Sequence, residues 1–375
     1  MKQESVIILH ESSMLVRYKK GLMELFNSIH ELQSDPLGKR LLALELQEKL
    51  LKRIGRAEYL IRKTRIANKE IKATLSKQGN GREESEALKK RYIAGETKIG
   101  QQKTLLCLLR SVGDAIAFIY GDRWDLKLLA MKEGPGFITG KRGTRFERAI
   151  LRRSYALGAT VVMNDLTHTL RHGDITVFRP DLWPGGGSPF LLIEAKSGRG
   201  GSRVRAKRQQ AAMEEIGKYL LTDKRAVEGG TFERVSVKRS PEYHFDTIRT
   251  LALRLPHGGV CIDEVERGLH YILVDCACDM SNTNQQLKSI FDKTGQHYIL
   301  SVNDMKSIHI GYYPFPLTIT DPGTLFRFYN GEFVMFVSVN IDHVNAALAP
   351  SGLRIEVTRN EEKPWRVFPV RKTAS

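Results

Sequence analysis

The sequence lacks an apolar run long enough to span a membrane, and its N-terminus lacks the charged, apolar and small-residue succession of a secretory signal. We therefore expect a soluble, cytoplasmic protein without a membrane partner. Only four cysteines occur, and none forms a CxxC pair, so neither a disulfide framework nor a structural zinc site is indicated. No GxxxxGK[ST] phosphate loop is present, which argues against a P-loop enzyme.

Acidic residues are outnumbered by basic residues only in part of the chain. Residues 1–115 carry 23 basic and 14 acidic side chains, residues 116–225 carry 20 and 11, and the remainder carries 16 and 17. The formal net charge of +17 therefore originates in the first 225 residues. A localised positive excess attracts polyanions, and Lys and Arg gain affinity for phosphates through counterion release. A nucleic acid is the expected partner, and a basic protein without one is the alternative.

Three segments with different patterns follow one another along the chain. Residues 1–120 place apolar side chains at helical spacing, with breaks near Pro36 and Lys77–Glu84, and predict two or three helices. This helical region is interpreted as an arm for dimerisation or regulation, or as a cover for the next domain. Residues 121–228 and 229–375 alternate strands and helices, and the pattern leaves open whether the last segment extends one sheet or forms a separate α/β unit.

The middle segment predicts the order helix, strand, strand, strand, helix. Its apolar periodicity and its Gly- and Pro-rich loops indicate the following elements: helix Thr144–Leu157, strands Thr160–Met163, Asp174–Arg179 and Phe190–Lys196, and helix Val204–Leu221. This order predicts a mixed sheet flanked by helices, and hence an α/β fold class.

The third strand ends with a carboxylate and an amine two residues apart. Because side chains at i and i+2 lie on the same face of a strand, Glu194 and Lys196 should point the same way. Asp174 opens the preceding strand, and antiparallel pairing would bring it beside Glu194. Adjacent carboxylates repel unless a proton or a cation lies between them, and hard oxygen ligands suit Mg²⁺ or Mn²⁺.

We therefore predict a Mg²⁺ site, at which Mn²⁺ can substitute. Asp174, Glu194 and the backbone carbonyl of Ala195 are the predicted ligands. Lys196 is predicted to orient or deprotonate the attacking water and to offset negative charge in the transition state.

The motif Asp174 followed by Glu194-Ala195-Lys196 resembles the signature of the PD-(D/E)XK nuclease superfamily, an acidic residue on one strand and E-x-K on the next. The resemblance covers about residues 140–225. It implies a restriction-endonuclease-like αβββα core and a metal-dependent endonuclease that hydrolyses phosphodiester bonds of DNA. By analogy, a role in bacterial or phage defence or in recombination is expected.

The same resemblance implies two further site residues. Some members, including archaeal Holliday-junction resolvases, carry a glutamate on the helix before the strands in the pattern G-x-x-x-E, which Gly143 and Glu147 match here. Glu147 is thus the candidate third carboxylate at the metal, and a helix-capping box with Thr144 is the alternative. Other members carry a glutamine after the E-x-K strand that contacts substrate or water. Gln209 is the candidate for this role, with a surface position on its helix as the alternative.

A glycine- and arginine-rich loop runs from the third strand into the last helix of the middle segment. Glycine lets a backbone approach phosphates closely and arginine binds them, so we predict nucleic-acid contacts at Arg199, Arg203, Arg205, Lys207 and Arg208. A solvated basic loop is the alternative.

Two other functions stay open at this point. One is a nucleic-acid-binding protein of the same fold without catalysis, and the other is a nuclease that acts on RNA, because no residue distinguishes the two sugars. A homodimer or a larger assembly through the N-terminal helices is a further expectation.

Overall fold

The structure is a computed structural model, and it describes residues 15–77, 81–129, 136–141, 143–178, 190–195, 203–227, 230–233, 242–278, 285, 287, 295–303, 314–357 and 365–369. The chain forms two compact units. The larger unit comprises Tyr18–Ser240 and His309–Thr318, and the smaller unit comprises Met1–Arg17, Pro241–Ile308 and Ile319–Ser375. Helices and antiparallel sheets are both present, so the predicted α/β class is confirmed. Within the described ranges, none of the helices has the length and apolar content to cross a membrane.

The larger unit is built mainly from long helices. Its helices are α1 Lys19–Ser34, α2 Arg40–Leu75, α3 Arg82–Tyr120, α4 Arg123–Leu129, α5 Thr144–Ala156 and α6 Arg203–Thr222, followed by a short helix at Phe315–Thr318. α1 ends before Pro36, where the sequence predicted a break, because proline cannot continue a helix. Helices α2 and α3 run antiparallel and form a hairpin. The larger unit thus contains both the helical region and the middle segment.

The middle segment forms a small sheet with the strand order β1-β2-β3, and both strand pairs are antiparallel, so the prediction of a mixed sheet is wrong. Its strands are β1 Thr160–Met163, β2 Ile175–Phe178 and β3 Phe190–Ile193, and the flanking helices α5 and α6 complete the predicted order of elements. β3 is shorter than predicted, since it ends at Ile193 and leaves Glu194 just beyond the strand. β4 Lys224–Val227 and β5 Gly230–Glu233 follow as a separate hairpin.

The smaller unit has a four-stranded antiparallel sheet of its own. This sheet has the order β6-β7-β9-β8, so residues 229–375 do not extend the sheet of the larger unit in the described ranges. The elements of this unit are α7 Phe245–Arg254, β6 Val260–Glu266, β7 Leu269–Asp275, β8 His297–Ser301, α8 Pro322–Tyr329, β9 Phe333–Asn340, α9 Ile341–Leu348, β10 Leu353–Val357 and β11 Trp365–Pro369.

A glutamine on α2 completes the free edge of the three-stranded sheet. Gln47 is fully buried, its Nε2 donates to the Val161 carbonyl at 2.8 Å, and its Oε1 accepts from the Met163 N–H at 2.9 Å. Both backbone groups belong to the edge strand β1 and point away from β2, so they need partners outside the sheet. Helix α2 therefore supplies hydrogen bonds that a fourth strand would otherwise make.

Replacement of this side chain tests its contribution. Gln47→Ala removes the side-chain acceptor of the Met163 N–H and one of the two donors to the Val161 carbonyl, which keeps the Tyr155 hydroxyl, and we expect the free energy of unfolding to fall by about 1 to 3 kcal/mol. Urea denaturation followed by circular dichroism measures the change. Glu45→Ala, at an exposed position of the same helix, is the control. Equal stability of the two variants would contradict the role assigned to Gln47.

Candidate active site

The inward face of α5 carries a carboxylate. Glu147, Leu151 and Tyr155 recur every four residues, and their side chains are 5%, 0% and 1% exposed. The helix begins after Gly143, whose carbonyl accepts a hydrogen bond from the Glu147 N–H at 3.0 Å. Thr144 is therefore the first helical residue and not the N-cap, and the N-cap makes no side-chain hydrogen bond. The capping-box alternative is wrong, because Gly143 occupies the position that a capping threonine would need.

Asp174 and Glu194 lie just beyond the paired ends of β2 and β3. The register pairs Ile175 with Ile193, so Asp174 and Glu194 are the next pair in line. The Asp174 N–H donates to the Ile193 carbonyl at 2.8 Å, and Asp174 Oδ2 accepts from the Ala195 N–H at 2.7 Å. The backbone beyond β3 thereby fixes the Asp174 carboxylate at this end of the sheet.

The pKa of Glu147 is affected by charged groups at the ends of β2 and β3. Its pKa is raised to about 7, chiefly by burial, and the negative charges of Asp174, Asp165 and Glu194 act in the same direction. Lys141 opposes them and lowers the pKa. Because Coulomb interactions weaken with distance, these charges lie near enough to Glu147 to disfavour its ionisation.

Two buried polar residues hold the loop that leads to Asp174. On α3, Asp114 accepts hydrogen bonds from the backbone N–H groups of His168 and Thr169 at 2.9 and 2.8 Å, and His168 Nδ1 lies 2.9 Å from its other oxygen. Asn164 Nδ2 donates to the His172 carbonyl at 2.7 Å. The loop between β1 and β2 is therefore tied at its middle and at its end.

Gly173 allows the chain to turn immediately before Asp174. Its φ is +73°, and a Cβ at this position would lie 2.9 Å from the Ile193 carbonyl oxygen. A side chain would therefore meet both an unfavourable backbone conformation and a backbone atom of the neighbouring strand. Glycine at this position lets β2 and β3 stay paired up to Asp174.

A buried ion pair positions the segment that precedes α5. Glu58 on α2 is fully buried and accepts hydrogen bonds from the N–H groups of Ile138 and Thr139 at 2.9 and 2.8 Å. Arg110 on α3 donates to Glu58 Oε1 at 3.3 Å and to the Gly136 carbonyl at 2.9 Å. Burial lowers the pKa of Arg110, whereas the charge of Glu58 raises it. Both long helices thus hold the entry to the helix that carries Glu147.

The other predicted site residues stay predictions. Lys196 and Arg199 lie outside the described residues. The backbone of α6 is described from its first residue, but the side chains at its start are not, namely Arg203, Arg205, Lys207, Arg208 and Gln209.

Sequence reasoning missed the residues that support the site. Asp114 lies within a stretch of α3, from Leu108 to Phe118, that is buried throughout, and Glu58 lies on the buried face of α2 beside Ala57 and Ile61. A charged residue inside an apolar helix face signals a polar partner elsewhere in the fold. The apolar neighbours of Asp114 and Glu58 in the sequence could therefore have identified both residues as buried carboxylates with polar partners. The sequence does not show which backbone groups they bind.

The donor chemistry of the site can be compared with the needs of a divalent cation. Among the described residues, no three His, Cys, Asp or Glu side chains are close enough together to hold a metal. Glu147 Oε2 is buried and has no hydrogen-bond partner within the same ranges. Mg²⁺ is commonly held by one or two carboxylates together with waters and substrate phosphates rather than by a complete protein cage. The oxygen donors therefore fit Mg²⁺ if water and substrate complete the ligand set.

Comparisons with known proteins add no relative of this chain. No protein-family model, curated protein or solved structure matches it. The resemblance to the PD-(D/E)XK superfamily thus depends on the quoted motif, and the site geometry must support any function.

Alanine substitutions at Gly173 and Gly217 should change the free energy of unfolding in opposite directions. Gly173→Ala should lower the free energy of unfolding by roughly 1–3 kcal/mol, because the new Cβ is strained at positive φ and meets the Ile193 carbonyl. Gly217→Ala in α6, where no atom lies within 4 Å of the added Cβ, should raise it by about 0.5–1 kcal/mol. Urea unfolding compares both with the parent protein. A neutral or stabilising Gly173→Ala would contradict the packing described.

The raised pKa of Glu147 predicts a pH-dependent stability. The unfolded-state pKa of a glutamate is about 4.3 and the folded value is about 7, so ionisation of Glu147 destabilises the metal-free fold as the pH rises between these values. Glu147→Gln cannot ionise, and in EDTA at pH 8 its free energy of unfolding should exceed that of the parent by roughly 1–3 kcal/mol. The advantage should shrink at pH 5.

Urea unfolding at the two pH values measures this difference, with the exposed substitution Glu45→Gln as the control. If Glu147→Gln lowered the free energy of unfolding equally at pH 5 and pH 8, the Glu147 carboxylate would make a stabilising contact. Repulsion by the neighbouring carboxylates would then not account for its pKa.

Proposed function

We propose that this chain is a Mg²⁺-dependent nuclease with a restriction-endonuclease-like core, and that it hydrolyses phosphodiester bonds of DNA. The observation that carries the proposal is the antiparallel pairing of β2 and β3, which puts Asp174 and Glu194 at adjacent strand ends, where Asp174 accepts the Ala195 N–H. The pKa of Glu147, raised to about 7 by burial and by the charges of Asp174, Asp165 and Glu194, supports it. These side chains come from α5 and from the ends of β2 and β3, in a segment with the order helix, three antiparallel strands, helix. The excess of basic residues in the first 225 positions supports a nucleic acid as substrate.

A comparison within the chain supports a functional role for Glu147. Glu58 is a buried glutamate with a structural role, because two backbone N–H groups, a hydroxyl and Arg110 satisfy its oxygens. Glu147 is similarly buried, yet its Oε2 has no hydrogen-bond partner among the described residues and its strongest electrostatic neighbours include Asp174. A buried carboxylate surrounded by like charge is costly unless a proton or a cation offsets it. A cation-binding role accounts for this arrangement.

Each residue of the proposed site would have a separate role. Asp174, Glu194 and the Ala195 carbonyl would hold the cation, and Glu147, which is not close enough to form a three-carboxylate site in this structure, would act on it through a bound water. When bound, Mg²⁺ polarises a phosphoryl oxygen and lowers the pKa of a bound water. Lys196 would orient or deprotonate the attacking water and offset charge on the phosphate. In the absence of the cation, Glu147 would carry a proton for part of the time at neutral pH, because its pKa is about 7.

Three conservative substitutions test the proposal. Asp174→Asn, Glu194→Gln and Lys196→Met should each lower the cleavage rate by at least about 100-fold, because each removes a charged group that acts on the reacting phosphate or its cation. Cleavage of supercoiled plasmid, single-stranded DNA and RNA, each assayed with Mg²⁺ and with EDTA, gives the rates. The exposed Glu45→Gln should cleave at the parental rate.

The outcomes separate the proposed function from its alternatives. Cleavage of RNA alone would replace DNA by RNA as the substrate. Binding of nucleic acid without cleavage of any substrate would favour the non-catalytic binding protein. Mg²⁺ should also raise the Tm of the parent protein and raise it less in Asp174→Asn, since the variant loses a ligand.

A further inference from the structure

A groove of about 620 Å³ lies in the larger unit beside the candidate site. Helix α2 forms one wall, and the turn before α5, together with the start of α5, forms the other. The residues that matter for its chemistry are Lys49, Lys52, Gly55, Ile138, Gly140 and Lys141. Its size is within the range of sites that hold a small ligand or part of a larger one.

Both walls of the groove carry positive charge. Lys49 and Lys52 are exposed on α2, and the opposite wall carries Arg148 and the exposed Lys141, which is paired with Asp165. Glu48 also lines the groove, but Arg148 and Arg152 bind its carboxylate, so its charge is already offset. The pKa of Glu48 is lowered by these two arginines, although burial opposes the shift. Two arginines against one carboxylate leave one positive charge on the α5 side, so the groove is electropositive on both sides although Asp165 offsets Lys141.

The space between the charged walls is open to a close approach by another chain. Gly55 and Gly140 face it without side chains, and Gly140 has a φ of +88° that favours glycine. Ile138 adds an uncharged surface. Glycines between cations let phosphates approach both the backbone and the basic side chains.

The groove also borders the carboxylate site. Lys141 lines the groove and at the same time lowers the pKa of Glu147. Thr144, another lining residue, is the first residue of the helix that carries Glu147. Glu147, Asp174 and Glu194 do not line the groove, so a strand held there would lie beside the carboxylates and not among them.

We propose that this groove holds the sugar–phosphate backbone of a nucleic-acid strand next to the site of cleavage, with Lys49 and Lys52 contacting its phosphates. The inference rests on the proposed function and adds α2 to the substrate-binding surface. A polyanionic strand is the occupant that the charges favour, since cations on two facing walls can contact successive phosphates of one backbone.

The test compares two charge-matched double variants. Lys49→Ala/Lys52→Ala removes the two groove lysines, and Lys89→Ala/Lys90→Ala removes two exposed lysines from α3. Tyr92 of α3 lies beside Lys72 of α2, with Lys72 Nζ 4.9 Å from the Tyr92 ring. Lys72 is about 30 Å along α2 from the groove residue Lys52. The control lysines lie beyond Tyr92 on α3 and are therefore far from the groove. Both variants lose the same charge, and circular dichroism with thermal unfolding verifies that both are folded.

Binding is measured by fluorescence anisotropy with a labelled DNA duplex and a labelled single strand. The buffer contains EDTA, so cleavage does not interfere, and the Kd is recorded over a series of salt concentrations. The groove variant should bind at least about 10-fold more weakly, and the slope of log K against log salt should fall in magnitude by about 2. The control variant should stay within about 2-fold of the parent.

The possible results separate the groove from the nuclease function. If the parent binds and cleaves DNA while both double variants bind alike, the groove proposal is overturned and the proposed function stands. Weaker binding with an unchanged salt slope also overturns it, because the lysines would then not contact phosphates. If the groove variant shows the predicted losses although the parent cleaves nothing, the groove is supported and the nuclease is not. A parent protein that binds no nucleic acid overturns both.

Discussion

Repulsion between carboxylates is the constraint around which the larger unit is organised. Glu147 lies on an apolar helix face, and Asp174 and Glu194 add negative charge from the end of the sheet. Such groups separate or take up protons unless the surrounding structure holds them. The fold must therefore fix α5 and the two strand ends through contacts made elsewhere in the chain.

Helix α2 makes many of these contacts within about three turns. Gln47 binds the edge strand β1, Glu48 binds two arginines of α5, and Glu58 binds the backbone before α5. Each is a polar residue on a helix whose buried positions include Leu46, Leu50 and Ile54. Apolar packing places the helix against the sheet, and the polar groups then satisfy backbone atoms that would otherwise be buried without partners. Helix α2 of the helical region thus supports the three-stranded sheet and the start of α5.

The local elements were predictable because their signals are local. Apolar periodicity and glycine placed α5, α6 and β1 within one residue of their observed bounds. The end of β3 was not predictable in this way: the strand was expected to reach Lys196, but it ends at Ile193. Beyond that residue Asp174 takes the place of a ladder partner, because its carboxylate accepts the Ala195 N–H. A bond between a side chain and a distant backbone leaves no trace in the pattern of hydropathy.

The candidate site likewise combines residues with local sequence signals and residues that act over long distances in the sequence. A motif of short spacing pointed to Asp174, Glu194 and Glu147, whereas Glu58 and Asp114 act on segments more than 50 residues away. These long-range contacts couple the groove to the carboxylates, because the part of α2 that carries Lys49 and Lys52 lies between Glu48 and Glu58, which hold α5 and its entry. A shift of α2 would change the width of the groove and the position of Glu147 together.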